Sequence, residues 1–291
     1  MPPYAVLAAL LVASCWGGNF AASKYALADM SPFLTILLRF MGLTLLLVPF
    51  ALRQKLPPLR PMLIIAILLI VVQFALIFYS LAHGLSITSA IIATQMGVPF
   101  SCVVSAMLFK DYLGPWRSFG LMVAFMGVLI VAGTPNASAH WGAFLLAVVA
   151  SLSWSCANLY MKKLPPQPVV TLLFWPGLFS LPFLAGLVFL FEPPVLPQIM
   201  AASTTAWLGI AYSAVFSSLV GYGLWNWLIT RYPVSQVVPY SLCVPIVGIT
   251  AGVVLFDEPL TIQILLGAAL TIVGVTIITL RRPRLIELSE G

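Results

Sequence analysis

Long uninterrupted apolar runs constrain this chain more than any motif does. Stretches such as 61–81 and 169–190 carry no charged residue at all. A helix needs about 20 such residues to cross a hydrocarbon core of about 30 Å. Charged residues make up 7% of the 291 and apolar ones 62%, against roughly 25% charged in a soluble domain. No water-soluble fold hides that much apolar surface, so lipid must cover it. A transmembrane β-barrel is excluded by pattern, because its strands read as short alternating segments.

The runs predict spans at roughly 4–23, 32–52, 61–81, 86–109, 115–133, 141–161, 169–190, 206–229, 234–256 and 261–280, punctuated by proline and charge. With a cytoplasmic N-terminus, the inner loops and tail hold Arg53, Lys55, Arg60, Lys110, Arg117, Lys162, Lys163, Arg231, Arg281, Arg282 and Arg284. The outer loops then hold only Lys24. Shifting the frame by one helix reverses every loop, so the positive-inside rule predicts both termini inside and an even number of spans. The net charge of +6 is thereby a topology signal, and no nucleic-acid partner is expected. Cys15, Cys102, Cys156 and Cys243 fall inside apolar runs without ligand spacing. They read as small core residues, not disulfides or a metal site. The first run begins at Tyr4 with no basic residue ahead of it, which argues against a cleaved signal peptide.

The two halves repeat each other. Leu108-Phe109-Lys110-Asp111-Tyr112-Leu113 aligns with Leu255-Phe256-Asp257-Glu258-Pro259-Leu260, and the same offset pairs Gly120 with Gly267 and Gly127 with Gly274. Trp16 pairs with Trp154 and Lys24 with Lys162 at a different offset. Five helices per repeat is odd, so the second repeat enters the membrane from the opposite side. Inverted repeats are an architecture of alternating-access transporters, with the substrate near the midplane between the halves. The expected fold is all-α: ten transmembrane helices in two inverted five-helix repeats around a central cavity. The expected units are 1–134, 140–281 and a cytoplasmic tail, 282–291.

Trp16-Gly17-Gly18-Asn19-Phe20, Arg39-Phe40 and Phe256-Asp257-Glu258-Pro259-Leu260-Thr261 give the chain a resemblance to the EamA-type exporters of the drug/metabolite transporter superfamily. The order and spacing of these pieces carry more than any one of them. Within the family the chain looks most like the exporters of aromatic amino acids. The resemblance implies that the first four helices of each repeat line the cavity and the fifth packs outside. With the short loops, it also implies a bacterial inner membrane.

Polar groups inside a bilayer are costly and need a reason. Asn19 lies one turn from Trp16, Asn158 one turn from Trp154, His83 four residues from Tyr79, and Asn226 four from Tyr222 with Trp225 between. Gln95 precedes Pro99, and Gln236 precedes Tyr240, by one turn. Such spacing puts each pair on one side of its helix. These residues are candidates to line a substrate cavity with aromatic faces and amides. The alternative is interhelical bonding worth about 0.6 kcal/mol each. Arg39 is the one base well inside a span; it either pairs with Asp29, bonds carbonyls, or attracts a carboxylate. Lys24 reads as a topology residue or gate. Pro99, Pro239 and Pro245 are candidate hinges. Tyr4, Tyr112, Trp116, Trp141, Trp207 and Tyr232 read as interfacial belt residues.

No Asp or Glu stands mid-span, so downhill efflux or exchange is expected over proton antiport. No HExxH, GxSxG, P-loop or dinucleotide-binding turn is present, so neither catalysis nor a cofactor is expected. The expected function is export of small metabolites, most of all aromatic or other apolar amino acids, by a monomer or weak dimer in contact with membrane lipid. A multidrug or nucleoside exporter of the same fold is the alternative, with a lipid flippase or membrane enzyme behind it.

Overall fold

A computed structural model describes residues 1–109, 114–232 and 234–280, with 108, 109, 234, 235, 238 and 239 described by backbone alone. Lys110, Tyr112, Arg281, Arg282, Arg284 and the tail from 282 lie outside the described residues. The described chain is helical. Its membrane helices are α1 (Pro3–Leu27), α2 (Pro32–Ala51), α3 (Leu59–Ala82), α4 (Ile87–Thr94 and Gly97–Phe109), α5 (Pro115–Ala132), α6 (Trp141–Lys162), α7 (Val169–Phe191), α8 (Thr204–Arg231), α9 (Val234–Val237, a 3-10 turn Val238–Leu242, then Cys243–Phe256) and α10 (Ile262–Leu280). Nine are long and apolar enough to cross a membrane outright, and the tenth is the shorter apolar stretch Tyr240–Phe256. Each falls within a few residues of its predicted span. Proline occupies the first turn of α1, α2 and α5, where no intrahelical donor is lost.

The packing is symmetric in the way a repeat demands. α1 packs on α8 and α9, while α6 packs on α3 and α4. α2 packs on α7, α5 on α10 and α4 on α9. Exchanging the halves maps this set onto itself. The α5–α10 seam rests on the four repeat glycines. A methyl built on Gly127 would lie 2.6 Å from the Gly267 carbonyl oxygen, and one on Gly267 would lie 2.7 Å from that of Gly127. Gly120 and Gly274 face each other in the same reciprocal manner at 2.9 and 2.6 Å. Two backbones this close gain dispersion and weak Cα–H···O contacts that a side chain would forbid.

Four membrane helices are irregular. α4 breaks at Gln95–Met96, four residues ahead of Pro99, the position whose carbonyl loses its helical donor to that proline. In α9 the 3-10 turn ends just before Pro245. Pro239 sits within that turn; its side chain lies outside the described residues. α3 is π-helical over Ala66–Val72 and α8 over Ser213–Gly221, which the sequence reading did not foresee. By contrast Pro49, Pro176 and Pro182 sit inside helices that run on uninterrupted.

Candidate functional site

The loops 28–31, 83–86, 133–140, 192–203 and 257–261 meet at one end of the bundle, called distal here because α1 finishes there. They are tied across elements by side-chain caps. Glu258 accepts from the backbone N–H of Ile87 at 2.6 Å and of Thr88 at 2.9 Å, so it caps α4 from the turn before α10. Lys24 Nζ stands 3.1 Å from the same carboxylate and lies over the Phe256 ring at 4.8 Å. Glu192 accepts from Phe33 N, Leu34 N and the Ser31 hydroxyl at the start of α2. Asn136 accepts from Ser86 N. Those from backbone N–H groups satisfy helix N-termini, whose first N–H groups have no partner of their own.

Asp29 accepts from Ser203 N at 2.8 Å and from its hydroxyl at the start of α8. These bonds, the hydroxyl's first, hold its carboxyl below the usual carboxylate range. A depressed folded pKa means the cap is present above the ordinary carboxylate pKa and is lost as pH falls through the lowered one. Amide-exchange protection at Ser203–Ala206 is therefore expected to be unchanged from pH 7 to pH 5. Its loss in that window would contradict the cap.

The distal end holds the described acids Asp29, Glu192, Asp257 and Glu258; the opposite, proximal end holds Arg53, Lys55, Arg60, Lys162, Lys163 and Arg231. At the proximal end an open recess of about 460 Å³ lies between Gln54–Pro58 and Gln167–Thr171.

Between the ends, the candidate residues divide. Trp16 on α1 meets Tyr222 and Trp225 on α8, each with ring centroids 5.3 Å away. Its indole N–H donates to the Ser217 carbonyl at 3.2 Å, a group within the π-helical turn. Asn19, one turn on, is buried, and its Oδ1 has no partner. Asn226 is half-buried on α8. Tyr240 packs in the apolar cluster of Ala5, Ala9 and Val12 that also touches Trp16 and Trp225.

The matching pair on α6 behaves differently. Trp154 covers Gly97 at the α4 break, where an added methyl would meet its ring at 2.8 Å. Asn158 donates to the Trp154 carbonyl at 2.7 Å, a bond within its own helix. Gln95 caps the first piece of α4 at that break. Tyr79 and His83 stack on each other at 3.7 Å near the distal end, with His83 Nδ1 at 2.8 Å from the Tyr79 carbonyl. The described ring partners of Tyr79 are His83 and Phe33, not the Trp16 cluster.

Arg39 does not pair with Asp29, whose carboxylate is engaged at Ser203. Its Nη2 donates to the Ser218 hydroxyl at 2.9 Å. Ser217 and Ser218 were not singled out by sequence; two adjacent serines in an apolar run were the available signal. Glu258 was also missed as a cap, although its motif marks the repeat. Of the six belt candidates, Tyr4, Trp116, Trp141 and Trp207 are exposed, Tyr232 is half-buried and Tyr112 lies outside the described residues.

The model of the EamA-like transporter family matches residues 3–133 and again 141–280, one copy per half. A "Probable amino-acid metabolite efflux pump" of Escherichia coli K12 is 31% identical over 277 residues, covering 92% of each chain. An "Uncharacterized inner membrane transporter YedA" of the same organism is 25% identical over 289 residues, covering 96% of this chain and 91% of its own. A solved crystal structure 17% identical superimposes with a TM-score of 0.66 over 95% of this chain and 96% of its own, which supports the fold. Matched in both halves by one family model, and along nearly its whole length by an efflux pump, the chain belongs to the EamA-like transporter family.

Proposed function

We propose that the chain exports amino acids, aromatic or otherwise apolar, across a bacterial inner membrane by alternating access, without proton coupling. The observation that carries this reading is the Trp16–Tyr222–Trp225 cluster beside the unpartnered Asn19 amide oxygen, where α1 of one half meets α8 of the other. Ring faces stack on an apolar side chain and hold an ammonium group by cation–π attraction, about 0.5–2 kcal/mol each. An amide oxygen accepts from the same ammonium. Relatives named as probable amino-acid metabolite efflux pumps support an amino-acid type of solute. The described acids all lie at the distal end, so among the described residues no carboxylate is placed to trade a proton for substrate at depth.

The basic proximal end faces the cytoplasm under the positive-inside rule, with both termini there. The distal ties of Lys24, Glu192 and Glu258 then close the outer side. Repeats 1–134 and 140–281 are the units that rock, with the breaks beside Pro99, Pro239 and Pro245 as hinges. Tyr79 and His83 stand at the outer exit, and Gln95 of the first half and Trp154 and Asn158 of the second line the path where α4 meets α6.

The test is flux of labelled phenylalanine, tryptophan and threonine in liposomes holding only the purified protein, with and without a pH gradient. Aromatic flux indifferent to the gradient is expected. Trp16→Ala is expected to lower it roughly tenfold, the loss of about 1.4 kcal/mol of ring contact. Trp154→Ala is expected to lower it less, because that ring covers Gly97. Flux that follows the pH gradient would overturn the uncoupled mechanism. Absence of amino-acid flux would move the substrate to a drug or nucleoside.

A further inference from the structure

Arg39 is the one basic side chain that the described structure buries completely, at 1% exposure, two turns into α2. An arginine at membrane depth ordinarily pairs with an acid or reaches for the interface. Arg39 does neither. Its Nη2 bonds the Ser218 hydroxyl and leans toward that of Ser217 at 3.5 Å, while Nε and Nη1 have no acceptor. The guanidinium lies 4.4 Å from the centre of the Phe74 ring, which supplies polarisable surface but no counter-charge. The described acids are committed elsewhere: Asp29 at Ser203, Glu192 at the start of α2, Glu258 at the start of α4, and Asp257 exposed beyond α9.

Three further observations bear on this cation. First, it is asymmetric. α2 and α7 are repeat counterparts that pack on each other, yet α7 carries no charged residue. The fold therefore does not require a charge at this place in a half. Second, both π-helical segments flank it: Ser217 and Ser218 lie inside that of α8, and Phe74 follows that of α3 by two residues. Such segments are often found at functional sites and leave backbone free to shift register. Third, Ser217 joins the cation to the aromatic cluster, because its hydroxyl faces Arg39 and its carbonyl takes the Trp16 indole N–H.

We propose that Arg39 is the carboxylate anchor of the transported solute. The solute's acid group meets the unpartnered guanidinium N–H groups, and its apolar side chain lies against Trp16, Tyr222 and Trp225. A charge-assisted bond in a water-poor site is much stronger than in solvent, and the planar guanidinium suits a carboxylate better than an ammonium does. This rests on the exporter reading and narrows it: substrates must carry a free carboxylate, while the ammonium is left to the ring faces and Asn19. Access to Arg39 comes as the α3 and α8 segments shift during transport.

The test sets carboxylate-bearing probes against carboxylate-free ones of equal shape, read in two ways on the full chain. Inhibition of labelled phenylalanine flux is measured in proteoliposomes, and melting temperature is measured in detergent. Phenylalanine and 3-phenylpropionate are expected to compete and to raise the melting temperature. Phenylalaninamide and phenethylamine are expected to be at least tenfold weaker. Arg39→Gln removes an uncompensated charge, so it is expected to fold with an equal or higher melting temperature and to lose the carboxylate preference. Arg39→Lys is expected to keep part of it. Equal response to both probe classes, or an unchanged preference in Arg39→Gln, would overturn the proposal. So would unfolding of Arg39→Gln beside an Arg39→Lys variant with no altered preference, which is the pattern of a structural arginine. If the wild type moves no amino acid, the exporter reading falls by itself. The anchor is still judged by the melting shift: 3-phenylpropionate stabilising the wild type but not Arg39→Gln upholds it, and no shift with either acid sinks it.

Discussion

Glu258→Ala is expected to destabilise the folded protein by about 2–6 kcal/mol and to open its distal end. The carboxylate satisfies two N–H groups at the start of α4, and its side chain is only 7% exposed. Removing it leaves both donors without an acceptor, at about 1–3 kcal/mol each when buried. Lys24 contributes less to that figure. It is 32% exposed and can turn to water, so Lys24→Ala is expected to cost under about 1 kcal/mol. The same carboxylate ties α1 to the start of α4 and to the turn between α9 and α10, so its loss also frees these elements at one end of the bundle. Glu258→Gln keeps the shape and one acceptor oxygen, which separates the two effects. Melting in detergent measures the first. For the second, Ser23→Cys is introduced after replacing the four native cysteines, and its labelling by a membrane-impermeant thiol reagent is compared with and without Glu258→Gln. Ser23 is buried one residue before Lys24. Faster labelling in the Gln variant is the expected result. Equal labelling and an unshifted melting temperature would show that the tie holds nothing closed.

The spans were legible because a bilayer imposes a length, and about 20 apolar residues leave little room for another reading. Local irregularity was less legible. The π-helical segment of α3 lies in uniformly apolar sequence and that of α8 in an apolar run broken only by serines, so no helical period changes where the helix widens. The α4 break was half visible: Pro99 announced a disturbance, but the break lies at Gln95–Met96, where the proline removes a donor. The candidate site was legible by residue type and not by partner. Trp16/Asn19 and Trp154/Asn158 look alike in sequence, yet Asn19 keeps a free oxygen while Asn158 spends its amide on its own helix. The difference of three against four residues in spacing was the only hint. Glu258, Glu192 and Asp29 serve helices far away in the chain, and nothing local to a carboxylate says which distant N-terminus it will cap.

Gly127→Ala is expected to destabilise by about 2–3 kcal/mol and Gly186→Ala to stabilise by up to about 1 kcal/mol, although the substitution is identical. Alanine favours a helix by restricting the unfolded chain, and Gly186 on α7 has nothing within 4 Å of where its methyl would go. At Gly127 the same methyl meets the Gly267 carbonyl at 2.6 Å. Backbone cannot turn aside as a side-chain tip can, so α5 and α10 must part and lose the contacts between them. Gly274→Ala is expected to behave as Gly127→Ala does, since its methyl meets the Gly120 carbonyl, also at 2.6 Å. Melting in detergent gives the sign and size. The transport readout says what the seam is for. α5 and α10 are the fifth helices of their halves and pack chiefly on each other, whereas the aromatic cluster and Arg39 lie among α1, α2, α3 and α8. If the pair is a fixed brace about which the other helices rock, flux per folded molecule stays unchanged while stability falls. A variant that folds well but transports slowly would mean instead that the seam itself slides during the cycle.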